Sequence, residues 1–252
     1  MFPTLLKKEM REQRRTHRLL IFVVAFALIG LMSPLIARYT PLLLRSIPDV
    51  PAELAAIIPD PTLKDAVDQY TKNFSQLGLL LVIVLTMGII AQEKERGTAG
   101  MLFTKPVRRS AFVLAKWLAS MGSLLAGLLL AAVGCLFYTW ILFEPLPIGG
   151  FLALNALLMV FLGFFMTLAL TGSALARSQP MAAGYAFALV VVALILGALP
   201  WLGEYMPGRL MAWGWGLVMG GAASAWPALI VSLGLTGLAL LAACLYLEKE
   251  EL

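Results

Sequence analysis

The chain has 252 residues, of which 61% are hydrophobic and only 13% are charged, and its mean hydropathy is +0.90. Soluble globular domains contain about 45–50% apolar and about 25% charged residues, so this composition excludes a soluble globular protein. The formal net charge is +5. Because the basic residues lie beside apolar segments, where membrane proteins carry them, this charge does not indicate nucleic acid as a partner.

The apolar residues form six blocks, each of a length that suits a membrane-crossing helix, which needs about 20 residues. The first block follows a basic tail, as in a signal peptide, but no small-x-small cleavage site precedes Arg38, so we interpret it as a retained span. The sequence predicts an all-α integral membrane protein with one transmembrane domain, residues 1–252. The predicted spans are 19–37, 74–91, 117–143, 148–176, 181–202 and 223–247.

The Lys and Arg residues are distributed unevenly between the two sides of the predicted bundle. With the amino terminus inside, fourteen of the nineteen lie in inner segments. Because positive residues favour the cytoplasmic side, both termini are predicted to be cytoplasmic. The five outer residues are Arg38, Arg45, Lys64, Lys72 and Arg209.

Two outer stretches are predicted to be ordered without crossing the membrane. Asp60 followed by Pro61 is typical of a helix start, and apolar residues at helical spacing follow, so a helix should lead into the second span with Asp60 as its cap. Residues 203–222 are apolar but broken by glycines and Pro207. They are too broken for a span and too apolar for a solvated loop, so we predict a re-entrant or interfacial hairpin packed against protein.

The predicted spans contain no Asp, Glu, Lys, Arg or His. Ion-coupled carriers, proton pumps and intramembrane hydrolases need such groups within the membrane, so we predict no catalytic residues and no metal site. The sequence also lacks a Gly-rich phosphate loop that ends in Gly-Lys-Ser or Gly-Lys-Thr. If the chain transports a molecule uphill, another subunit must supply the energy.

The third predicted span carries a row of small residues at four-residue spacing. They are Ala119, Ser123, Gly127 and Ala131. Small residues in such a row allow helices to approach closely. We interpret the row as packing inside the bundle, with a role in a pore or in dimer formation as the alternative.

The longest predicted inner connection, residues 92–109, joins the second and third spans. Thr98 can cap a short helix that ends before Pro106, which leaves about six or seven helical residues, roughly 10 Å. The tip of this helix, Met101 to Phe103, is apolar and is flanked by charges of both signs. An isolated helix of this length is not stable in water, so it should be ordered by docking, either on lipid or on a partner protein.

This connection resembles that of the type-two ATP-binding-cassette (ABC-2 type) exporter permease family. Family members carry an acidic residue near the second span, a Gly-Thr pair, a short helix, and a Pro followed by basic residues before the third span. Six predicted spans with both ends inside extend the resemblance over the whole chain. The matching residues are Glu93, Glu95, Gly97, Thr98, Pro106, Arg108 and Arg109, with Lys116 at the start of the third span.

The resemblance implies a half-size subunit that pairs with a second permease copy or a sister permease and binds two copies of a separate cassette ATPase. The ATPase would hold the ATP, so the chain itself would need no cofactor. The inner loop would be the coupling helix that sits in a cleft of the ATPase, and residues 2–18 would form an elbow helix in the inner membrane interface. The implied coupling residues are Glu93, Glu95, Arg96, Gly97, Thr98, Met101, Leu102, Phe103, Lys105, Pro106, Arg108 and Arg109.

The expected function is therefore that of a non-enzymatic permease subunit in the cell membrane. Spans without ionisable groups are a poor path for a hydrated ion, whereas Met and aromatic residues tolerate apolar molecules of varied shape. We expect export of an amphipathic or lipid-like molecule, with membrane lipid as a further partner. The alternatives are export of a simple ion such as sodium, and a structural or assembly protein without a conduit.

Overall fold

The computed structural model describes residues 2–46, 59–98, 108–221 and 223–250, and within these ranges it contains only helices and loops. These helices include a π-helical turn, Phe74–Gly78, and a short 3-10 turn, Gly203–Tyr205. The α-helices are α1 (Phe2–Arg15), α2 (Arg18–Arg45), α3 (Leu63–Asn73), α4 (Leu79–Thr86), α5 (Ala91–Glu95), α6 (Arg109–Leu142), α7 (Ile148–Leu175), α8 (Gln179–Ala198), α9 (Arg209–Val218) and α10 (Trp226–Lys249).

Among the described residues, six segments are long and apolar enough to cross a membrane. They are α2, the stretch Leu63–Glu95 (which includes α3, α4 and α5), α6, α7, α8 and α10. The predicted all-α fold with six spans is confirmed. The membrane limits within these helices stay predictions, and so does the side on which the termini lie. The fifth predicted span ended at residue 202, whereas α8 ends at Ala198, shortly before Pro200, because the residue before a proline is disfavoured in a helix.

Helix α7 is the centre of the bundle. In its most apolar stretch 61% of the residues are buried, against 17% in α8 and in α10. It packs against α4, α8, α9 and α10, while α2 packs along α6. Helices α8 and α10 therefore lie at the periphery and turn most of their surface away from the rest of the chain.

The predicted row of small residues on the third span is confirmed as bundle packing. A Cβ atom at Gly127 would lie 3.1 Å from the carbonyl oxygen of Phe22, and one at Gly30 would lie 2.3 Å from that of Ala131. The two helices α2 and α6 thus approach to backbone contact, which larger side chains would prevent.

The helix predicted to lead into the second span is present as α3, but its predicted cap is wrong. Thr62, not Asp60, stands at the N-cap, and Oδ2 of Asp65 accepts hydrogen bonds from the Thr62 backbone N–H (2.8 Å) and hydroxyl (2.7 Å). Asp60 instead forms a 2.9 Å ion pair with Arg45 at the end of α2. Asp and Thr are both favoured N-cap residues, and here the chain uses the threonine, which stands two positions after the aspartate.

The stretch between the fifth and sixth spans is ordered and packs against protein, as predicted. Its helix α9 buries Leu210, Met211 and Val218, and a Cβ atom at Gly214 would lie 2.6 Å from the side chain of Leu154 on α7. Ten helical residues extend about 15 Å, half of a membrane core of roughly 30 Å, so α9 does not cross. The depth of the hairpin in the membrane stays a prediction.

Candidate functional site at the charged end of the bundle

One end of the bundle, here called the charged end, brings together α1, α5, the start of α6 and the last turn of α10. A small apolar cluster of buried residues lies within it and includes Leu5, Ile90, Phe112, Leu170 and Leu247. Each of these five residues comes from a different helix or turn. The charged end is therefore a packed assembly of several segments rather than a row of loose helix ends.

The second span is interrupted just before it reaches this end. Helix α4 ends at Thr86 and α5 begins at Ala91. The hydroxyl oxygen of Ser173 on α7 accepts hydrogen bonds from the backbone N–H groups of Ile90 and Ala91, each at 3.0 Å. Breaks of this kind have identifiable causes, and here a side chain from a neighbouring helix inserts into the hydrogen-bond ladder. As a result α5 is a separate short helix that is fixed to α7.

Four consecutive residues of α5, here called the α5 junction, each contact a different segment of the chain. Together with a bond from Lys94 Nζ to the Ala174 carbonyl of α7 (2.5 Å), they connect α5 to all the other spans. The four contacts are Gln92 with Arg18 of α2 (2.9 Å), Glu93 with Lys116 of α6 (2.6 Å), Lys94 with Glu250 after α10 (2.5 Å) and Glu95 with the Gln179 N–H of α8 (3.0 Å).

On one side of the junction, ion pairs connect α5 to α1 and α6. The Lys116 side chain is 1% exposed, and its Nζ lies 2.9 Å from Glu9 Oε2 and 2.6 Å from Glu93 Oε1. Lys8 Nζ lies within 3.0 to 3.3 Å of carboxylate oxygens of Glu9, Glu12 and Glu93. Two ammonium groups thus neutralise most of the charge of three neighbouring carboxylates.

Neighbouring charges keep Glu12 and Lys8 of α1 charged. Burial alone would raise the pKa of Glu12, but Lys116 and Lys8 outweigh this effect and lower it. Burial alone would lower the pKa of Lys8, but Glu9, Glu93 and Glu12 outweigh this effect and raise it. Both groups therefore stay charged at neutral pH, which preserves the Lys8–Glu12 ion pair.

On the other side of the junction, the contacts lead to the last turn of α10. Lys94 and Glu250 are nearly buried, with 4% and 8% of their side chains exposed. Arg109, the first residue of α6, donates to the carbonyl of Leu247 (2.9 Å) and to that of Glu250. Basic groups at the end of a helix satisfy carbonyls that have no partner in the helix and interact favourably with the helix dipole.

Gly97 ends α5 and directs the chain into the loop. Its φ is +69°, a left-handed conformation that glycine adopts at little cost. The Gly97 N–H donates to the Lys94 carbonyl (3.0 Å), and the Thr98 hydroxyl donates to the Glu93 carbonyl (3.1 Å). This geometry is typical of helix C-termini and explains why glycine stands before the threonine.

The residues predicted for coupling fall into four groups. Glu93 and Glu95 belong to the α5 junction, while Arg96, Gly97, Thr98 and Arg108 are exposed at the two ends of the loop. Arg109 contacts the last turn of α10. Met101, Leu102, Phe103, Lys105 and Pro106 lie outside the described residues, and so does the short helix that Thr98 was predicted to cap. The coupling role of all of these residues stays a prediction.

Sequence reasoning missed several residues of this end. Glu9 and Gln13 face α6, where the Gln13 amide donates to the Ser120 hydroxyl (3.2 Å) and its oxygen accepts from Ser123. Leu5, Glu9 and Gln13 follow at four-residue spacing on an otherwise basic helix, and this stripe could have shown which face of α1 is buried. No comparable pattern in the sequence indicated a role for Glu250.

Comparison with known proteins agrees with this architecture. A family model described as "ABC-2 family transporter protein" matches residues 4–204. The chain is also 26% identical over 210 residues, 82% of its own length and 80% of the relative's, to the "Uncharacterized transmembrane protein YxlG" of Bacillus subtilis (strain 168). With its six apolar helices it is a multi-pass protein of the cell membrane. The chain therefore belongs to the ABC-2 family of transporter proteins, the membrane components that work with a cassette ATPase.

Proposed function

We propose that the chain is the permease subunit of an exporter in which a separate cassette ATPase hydrolyses ATP and the permease moves an amphipathic or lipid-like molecule outward. The family membership supports a transport component rather than an enzyme. The observation that carries the coupling part is the α5 junction, where four consecutive side chains contact four different segments.

The position of α5 suits the transmission of movement from a partner. A break at residues 87–90 separates α5 from α4, and Gly97 connects it to the loop 98–108. Movement of the loop would therefore act first on α5, and the junction would distribute it to the other spans. Coupling between distant sites needs such a physically connected element with more than one arrangement.

We place the charged end in the cytoplasm, because the excess of Lys and Arg favours that side. There the apolar residues Met101, Leu102 and Phe103 would dock in the ATPase, which would bind the ATP. Two ATPase copies and a second permease, identical or sister, would complete the transporter. In this arrangement α1 is the elbow helix, and it is held to α6 by Glu9 and Lys116.

An apolar cleft supports the proposed class of cargo. It has a volume of 350 Å³ and lies between α8 and α10, with α7 as its floor. Clefts of about 300–1,000 Å³ accommodate small molecules. A sodium path needs several oxygen ligands, which this apolar lining does not supply. The lining includes Phe164, Leu168, Leu189, Val192, Leu235 and Leu238.

The experiment is to purify the chain with its cassette ATPase, reconstitute the complex, and measure ATP turnover. We expect stimulation by added amphiphiles and no response to a sodium gradient. Turnover that follows sodium alone would contradict the proposed cargo, and failure of any cassette ATPase to co-purify would contradict the proposed function. The variant Phe103→Asp tests the docking contact separately. It places a charge on the apolar tip and should weaken ATPase binding, while the permease still inserts into the membrane.

A further inference from the structure

We infer that the last turn of α10 is part of the coupling device: Lys94 and Arg109, on either side of the loop 98–108, hold it, and their movement shifts α10 against α8 and so changes the width of the apolar cleft. The inference rests on the proposed function and adds to it the helix that moves and the contact that moves it.

Both ends of the loop are anchored to the same turn. Lys94, just before the loop, forms a 2.5 Å ion pair with the Glu250 carboxylate. Arg109, just after the loop, donates to the carbonyls of Leu247 and Glu250. The Lys94–Glu250 pair is nearly buried, with 4% and 8% of the side chains exposed. Screening by solvent is weak at such a site, so the pair transmits a displacement better than a surface pair would.

The remainder of α10 is held in a way that permits movement. Its buried face is a narrow stripe that includes Ala228, Ser232, Thr236 and Ala243. A hydrogen bond from the Thr171 hydroxyl to the Ala239 carbonyl (3.1 Å) connects it to α7. Because only 17% of the most apolar stretch of α10 is buried, its contact with the bundle is narrow, and small sliding of packed helices is an established form of conformational change.

Helix α10 also forms one wall of the cleft. Leu235 and Leu238 of α10 face the cleft opposite Val192 and Leu196 of α8. In α8 and α10 alike only 17% of the most apolar stretch is buried, whereas the floor helix α7 is buried at 61%. A displacement of the end of α10 relative to α8 therefore changes the opening of the cleft.

The test measures this opening by chemical cross-linking and needs no knowledge of the cargo. Val192→Cys and Leu238→Cys are combined in a chain whose native cysteines, Cys135 and Cys244, are replaced by Ala. The complex with the cassette ATPase is reconstituted in vesicles, and the rate of cross-linking by a short bis-maleimide is measured with and without Mg-ATP. We expect Mg-ATP to change this rate, and we expect Glu250→Gln to reduce the change, because Arg109 still holds backbone carbonyls of the same turn.

Three variants separate transmission from a merely structural role. Lys94→Gln removes the same contact from the other side and should have the same effect. The double variant Lys94→Gln/Glu250→Gln should lose no more than either single variant, because residues that act as one pair are not additive. Glu248→Gln, an exposed carboxylate in the same turn, should leave the response at the wild-type level.

Each outcome has a defined consequence. If the Glu250→Gln complex stays assembled and keeps the wild-type response to Mg-ATP, the inference is wrong. It is also wrong if Mg-ATP leaves cross-linking in the assembled wild-type complex unchanged. If no cassette ATPase binds the wild-type chain, the proposed function fails and the inference fails with it.

Discussion

The two ends of the bundle are held together by different kinds of contact. At the charged end, Lys116 pairs with Glu9 and Glu93, and Lys94 pairs with Glu250. Toward the opposite end, aromatic rings form a continuous chain. We call this the aromatic end and define it by Phe26, Tyr70, Phe74 and Phe151. The centroid of the Tyr70 ring lies 4.7 Å from that of Phe74 and 5.3 Å from that of Phe151. The Phe26 and Phe74 ring centroids are 5.3 Å apart.

This difference indicates which end holds the fold and which end can move. Interlocking rings fit well in one arrangement, because packed interiors leave no room for a second. Ion pairs at the charged end have alternatives: Lys8 lies within 3.3 Å of oxygens from Glu9, Glu12 and Glu93, so a small shift exchanges one partner for another. We therefore expect the aromatic end to anchor the bundle and the charged end to change conformation.

The largest effect should come from removing the central ammonium group of the charged end. Lys116→Met leaves the buried carboxylate of Glu9 and the partly buried carboxylate of Glu93 without this partner, and breaking a buried pair in this way costs about 3–5 kcal/mol. The measurement is the thermal stability of the purified protein in detergent. The double variant Glu9→Gln/Lys116→Met should recover part of the loss. A Lys116→Met protein as stable as wild type would show that the ion pairs do not hold this end.

A smaller effect should follow when the aromatic end loses a polar contact. The Tyr70 hydroxyl donates to Asn155 Oδ1 at 2.7 Å, and Tyr70→Phe removes this bond but keeps the ring. We expect a loss of about 1 kcal/mol, the ordinary value of one hydrogen bond, in the same thermal assay. If Tyr70→Phe costs as much as Lys116→Met, the aromatic end depends on polar contacts as strongly as the charged end does, and the comparison fails.

The smallest effect should come from an exposed ion pair. Asp60 pairs with Arg45 at 2.9 Å, but the Asp60 side chain is 87% exposed. Asp60→Asn should therefore lower stability by less than about 1 kcal/mol, since solvent screens such pairs. As a control, both proteins are measured in high salt, which should reduce the difference in stability between Asp60→Asn and wild type. A larger loss would mean that burial does not decide the value of ion pairs in this protein.

The sequence was sufficient to predict the spans, the helix before the second span and the small-residue row, because each depends on neighbours along the chain. Hydropathy identified all six membrane-crossing segments, and four-residue spacing identified the seam that includes Gly127. The cap of α3 was placed at Asp60 instead of Thr62, because local chemistry alone does not distinguish two good caps.

The α5 junction could not be predicted from the sequence. Most of its partners are distant along the chain: Lys94 and Glu250 are 156 residues apart, and Glu95 and Gln179 are 84 residues apart. The motif that resembled the family marked Glu93 and Glu95 but gave no partner for either. Only the folded bundle shows that adjacent residues of one short helix connect to opposite sides of the charged end.

The most direct test of the account asks which end of the bundle contacts the ATPase. A photo-cross-linking amino acid is placed at Phe103 in the loop or, as a control, at Glu144 near the opposite end, and the assembled complex is irradiated. We predict a cross-link to the cassette ATPase from position 103 and none from position 144. A cross-link from position 144, or none from position 103 in an intact complex, would contradict the assignment of the charged end as the coupling site.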